Sequence, residues 1–127
     1  MKLRIKGDSL RLRVSRSEVA KLLAGRCLEE TIHFAPEADA KFTYALQREN
    51  SLSRATVHYA ANKVKILIPA EQANVWGATD QVGIAEDISL GNLWSLTLLI
   101  EKDFACLDRS DEDNEDTFPN PNAGATC

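Results

Sequence analysis

Leu3 and Ile5 alternate with Lys2, Arg4 and Lys6, and beyond Gly7-Asp8 the alternation resumes with Leu10, Leu12 and Val14 against Arg11 and Arg13. Two period-two runs about a Gly-Asp pair predict a β-hairpin with a tight turn, one face apolar and the other cationic. Ser15 with Glu18 three residues on is a capping-box signature, and Val14 and Val19 stand where a hydrophobic staple would form. Val19, Leu22 and Leu23 then share one face of a short helix that Gly25 can end in a left-handed conformation.

Alternation continues downstream. Leu28, Glu30, Ile32 and Phe34 oppose Glu29, Thr31 and His33, and Phe42, Tyr44 and Leu46 oppose Thr43, Ala45 and Gln47. Ala55, Val57 and Tyr59 oppose Thr56 and His58, after which Ala61-Asn62 turns the chain into Val64, Ile66 and Ile68. Pro69 ends that strand and opens a second short helix through Glu71 to Trp76, closed by Gly77. Val82 to Ala85 carries a weak strand signal, whereas Trp94 to Ile100 is apolar enough for a central strand. The pattern predicts an α+β fold: a mostly antiparallel, strongly twisted or barrel-like sheet of about six to eight strands with two short helices on its apolar side. No internal repeat is visible in the sequence.

The chain has 127 residues, 44% hydrophobic and 27% charged, which fits one globular domain and excludes collagen-like, coiled-coil and wholly disordered classes. We place that domain over residues 1–107. Asp108 to Asp116 holds six carboxylates and one arginine, and Phe118-Pro119-Asn120-Pro121-Asn122 cannot continue a strand or helix, so residues 108–127 read as an acidic tail. The net charge of −4 hides an asymmetry: residues 1–16 carry six basic side chains against Asp8 alone, and residues 103–127 carry seven acidic groups against Arg109. A pI near 5.2 argues against nucleic acid as the partner but leaves room for one local basic patch.

Cys27, Cys106 and Cys127 are odd in number and widely spaced, with no CxxC or Cys/His pattern of a zinc site. Free thiols, a reducing cytoplasmic location, no metal and no cofactor are the expectations. Met1 to Lys6 leads into no hydrophobic run, so it is not read as a signal peptide, and Leu96 to Ile100 is too short to cross a bilayer. The acidic run from Asp111 to Asp116 lacks the glycine and the later glutamate of an EF-hand loop.

The opening KLRIKGDSLRLRV and the late EKDFACL, followed by the acidic run and FPNPN, resemble the pattern of an uncharacterised family of small bacterial proteins. That pattern opens with KLRIKG and SLRLR elements and closes with aromatic-Cys-Leu, acidic and Phe-Pro-Asn-Pro elements. The likeness is strong at both ends and weak in the middle, and Asp8 stands at a turn where asparagine is usual. The resemblance implies no activity, so the chemistry has to come from the residues.

Lys2, Arg4, Lys6, Arg11 and Arg13 fall on one face of the hairpin if the alternation holds. Cations on an edge hairpin deter aggregation, but like charges facing one another also destabilise it, and no acid is interleaved. A counter-anion is expected: the acidic tail, an anionic small molecule or an acidic protein segment. The tail reading places Asp108 to Asp116 near Arg4, Arg11 or Arg13, with Phe118 packed on the body. Thr31, His33, Thr43, Gln47, Thr56, His58 and Lys65 also alternate away from apolar neighbours, and a curled sheet would bring His33 and His58 onto a concave surface shared with the arginines. In outline such a barrel resembles the triphosphate-tunnel enzymes. That family begins with alternating glutamates that hold a metal, and Lys2 to Lys6 has no carboxylate. A non-catalytic binding protein is therefore the leading expectation, and an enzyme acting on a phosphorylated small molecule the alternative.

Overall fold

In the computed structural model, which describes residues 1–104 and 116–119, the first two runs form β1 (Lys2–Lys6) and β2 (Ser9–Val14), paired antiparallel. Gly7 turns between them at φ +54, a conformation that costs glycine little. Helix α1 (Arg16–Leu23) follows, with both halves of the Ser15–Glu18 capping box formed. Its end is a Schellman motif: Gly25 at φ +88 donates its amide to Leu22, and Arg26 donates to Lys21. The remaining elements are β3 (Leu28–His33), β4 (Lys41–Glu49), β5 (Thr56–Ala60), β6 (Lys63–Pro69), α2 (Ala70–Ala78), β7 (Gly83–Leu90) and β8 (Trp94–Lys102).

The α+β class, the two short helices and the predominance of antiparallel pairing agree with the sequence pattern. The strands divide between two four-stranded sheets, ordered β1-β2-β8-β7 and β3-β4-β6-β5, and neither closes into a barrel. Every hairpin is antiparallel, while the central pairs β2–β8 and β4–β6 are parallel. Both sheets turn their apolar faces to one core. Leu12, Val14, Leu98 and Ile100 enter it from the first sheet, Leu46, Ile66 and Ile68 from the second, and Val19, Leu22, Ala73 and Trp76 from the helices.

This topology contains a repeat that the residues conceal. A hairpin in one sheet, a helix and a hairpin in the other form β1-β2-α1-β3-β4, and the same order recurs in β5-β6-α2-β7-β8 with the two sheets exchanged. Leu12 pairs with Ile100 and Ile66 with Leu46; one shift along the chain carries Leu12 to Ile66 and Leu46 to Ile100. That shift also carries Val19 and Leu22, the buried residues of α1, onto Ala73 and Trp76, the buried residues of α2. Burial parity is kept while identity is not, which is why the sequence shows no repeat.

Two local expectations change. Gly77 does not close α2 but lies inside it, where an added Cβ would stand 2.4 Å from Cδ1 of Leu23; its missing side chain is what lets the helices approach. Strand β7 runs on to Leu90, because its half-exposed positions dilute the alternation that marks its start.

Glu18 holds the N-terminal corner together. Its carboxylate accepts from the Ser15 amide at 3.0 Å and from the Met1 α-amino group at 2.5 Å. Burial pushes this carboxyl up, but the α-amino group and the Ser15 bonds outweigh it and hold it below the ordinary 4.5. A depressed carboxylate stabilises the fold fully above its ordinary value, and that contribution is lost as the pH falls through the lowered one. Ser15→Ala is expected to cost about 1 kcal/mol in urea unfolding at neutral pH, and an unchanged midpoint would refute the cap.

Candidate anion-binding face

The register puts Lys2 opposite Arg13 and Arg4 opposite Arg11, with Lys6 opposite Ser9, so the five cations do share the outward face of the first hairpin. They arrive there because Leu3, Leu10, Leu12 and Val14 turn the other way, toward the core. A cleft of about 180 Å³ lies among Lys2, Leu3, Arg4, Arg11 and Arg13.

Part of the counter-charge comes from the neighbouring strand. Parallel pairing sets Arg13 beside Glu101, and one oxygen of Glu101 accepts from Arg11 and, at 3.2 Å, from Arg13. Lys2 reaches Asp103 at 3.3 Å. Among the described residues Arg4 and Lys6 make no ion pair. Sequence reasoning missed Glu101 and Asp103, since only the pairing of β2 with β8 brings them to the hairpin.

The histidines lie elsewhere. His33 pairs with Lys41 and His58 with Lys65, both on the outward face of the second sheet beside Thr31, Thr43 and Thr56. The polar residues do share a face, as the alternation implied, but it belongs to a different sheet from the arginines. With no barrel to curl the two faces together, His33 and His58 do not complete the cationic cleft.

Phe118 packs on the body as expected. Its amide donates to the Asp103 carbonyl at 2.8 Å, it forms a parallel bridge with Phe104, and Arg16 and Lys102 stand 5.7 and 5.1 Å from its ring centre. Asp116 sits at the start of α1. It accepts from the Ser17 amide at 3.1 Å and the Ser17 hydroxyl at 2.5 Å, and its own carbonyl accepts from the Arg16 amide. The hydroxyl bond is the chief reason its carboxyl is held low, and a carboxylate here also meets the positive end of the helix dipole. Asp116 thus serves α1 rather than the hairpin arginines. Residues 108–115, Cys106 and Cys127 lie outside the described residues.

Lys102 is buried, its ammonium donating to the Thr79 carbonyl at 2.7 Å just past α2. Burial pushes its pKa down, against the pull of Asp80. A cation on the last carbonyls of a helix is a capping arrangement. Among the described residues no group of three or more His, Cys, Asp or Glu side chains could hold a metal ion, and no helix is long and apolar enough to cross a membrane.

The model of a family of unknown function, DUF7009, matches residues 1–122. No curated protein and no solved structure matches the chain.

Proposed function

The chain belongs to the DUF7009 family, which has no assigned activity, and we propose from its surface chemistry that it is a non-catalytic binding protein taking an anionic group on the outward face of the β1–β2 hairpin. The observation that carries this reading is the mismatch of charge on that face. Glu101 serves two arginines through one oxygen, while Arg4 and Lys6 make no ion pair among the described residues. Like charges held opposite one another cost stability unless an anion joins them. A guanidinium presents a planar fork suited to carboxylate or phosphate, and Arg4 and Arg11 stand directly across the hairpin from each other. Binding is favoured over catalysis because an enzyme needs an acid or base free to act beside the bound group. The carboxylates at this cleft, Glu101 and Asp103, are engaged with cations, and both histidines belong to the other sheet.

Melting the protein in phosphate and in tripolyphosphate, against chloride at matched ionic strength, tests the proposal. At about 100 times its dissociation constant a bound anion adds about 2.7 kcal/mol, and Arg4→Gln should reduce that gain. No difference from chloride across the series would refute an anion site on this face.

A further inference from the structure

Among the described residues β1 is an edge strand, paired with β2 alone. In an antiparallel hairpin closed by a two-residue turn, the pair flanking the turn is hydrogen-bonded and bonded pairs then alternate. Lys6–Ser9, Arg4–Arg11 and Lys2–Arg13 are therefore the bonded pairs. The amides and carbonyls of Leu3 and Ile5 point away from β2, and none of them has another backbone partner among the described residues. Beside them opens a cleft of about 570 Å³ whose far wall is Glu30, Thr31, Ile32, Phe42 and Tyr44. Ile5 is 61% and Ile32 49% exposed. The strand thus offers a row of cations on one side, apolar side chains on the other, and unused backbone groups between them.

Resting on the anion-binding reading above, we propose that the anion is carried by an acidic peptide segment that adds to β1 as a further strand of the first sheet. Side chains of an added strand alternate between the two faces as those of β1 do. Acidic residues at every second position would meet Lys2, Arg4 and Lys6, and apolar residues between them would enter the cleft against Leu3, Ile5 and Ile32. Charge selects the acidic side and fixes register, because a one-residue slip would drive carboxylates into the cleft against Ile32 and the Glu30 carboxylate. The backbone bonds themselves carry no sequence preference. The partner is therefore recognised by its period-two pattern and not by its net charge.

Calorimetric titration of the full chain separates pattern from charge. The probes are a blocked hexapeptide alternating glutamate with valine, and one of the same composition with its three glutamates in a block. Two further versions of the alternating peptide carry N-methyl groups on every second amide, one in each phase. The alternating peptide should bind at least tenfold tighter than the block peptide. Methylation in one phase should abolish binding while the other phase leaves it nearly unchanged, a signature of strand pairing. Ile5→Ser should weaken the alternating peptide severalfold without altering the melt in tripolyphosphate. Equal binding of the alternating and block peptides, or equal effects of the two methylated versions, would overturn strand addition and leave the anion face standing. Failure of both peptides would also overturn strand addition. Failure of tripolyphosphate as well would overturn the anion face too.

Discussion

Trp76→Ala is expected to lower stability by about 3–5 kcal/mol, the range for deleting a fully buried large aromatic side chain. Trp76 is the largest fully buried side chain described, at 0% exposure. It lies on α2 among residues of both sheets, so no single neighbour can move in to fill the space it leaves. Its indole N–H donates to the Val82 carbonyl at 3.1 Å, just before β7 begins, and truncation would leave that carbonyl with the Lys102 amide as its partner. Denaturant unfolding measures the loss. Trp76→Phe, which keeps most of the volume but not the donor, should fall between wild type and alanine. A loss below about 1 kcal/mol for alanine would mean that the core collapses readily around α2.

The second large effect is expected at Glu101 and has two opposite signs. Glu101→Gln should destabilise the protein by about 2 kcal/mol. That is less than the 3–5 kcal/mol of a broken buried pair, because Arg11 and Arg13 keep part of their exposure to water. The same change should tighten tripolyphosphate binding about tenfold, equivalent to about 1.4 kcal/mol. It removes a carboxylate that competes for both guanidinium groups and would repel an arriving anion. Urea unfolding and calorimetric titration on one preparation read the two effects separately. Weaker or unchanged binding would place the anion away from Arg11 and Arg13.

How far the chain could be read depended on the range of the interactions involved. The β1–β2 hairpin, the Ser15–Glu18 cap and the αL stop at Gly25 were legible, because each is settled by residues a few positions apart. The outward direction of Lys2, Arg4, Lys6, Arg11 and Arg13 was legible for the same reason. Their partner Glu101 was not, since it becomes a neighbour only when β2 pairs with β8 from the far end of the chain. Alternation records which face of a strand is buried and is silent about which strand lies beside it. A division into two sheets therefore reads the same as a single sheet, and His33 and His58 read as neighbours of arginines that belong to the other layer. Gly77 misled because glycine signals a helix stop in isolation, whereas here it marks the contact of α2 with Leu23 of α1.

The exchange of hairpins between the sheets has a kinetic consequence. Each half of the chain supplies one hairpin to each layer, so neither half can complete a sheet on its own. The seam between β2 and β8 joins positions near opposite ends of the chain, for instance Leu10 with Leu98. Its loop-closure entropy must be met before the contacts of the first layer are gained. The second layer joins positions as near as Leu46 and Ile66 and can form over a short loop, whereas the first waits for its two distant hairpins to meet. Such a molecule folds on the slower, non-local side of the range for its size. Cut between β4 and β5, it would leave two pieces that each lack the partner strand on which their hairpins depend.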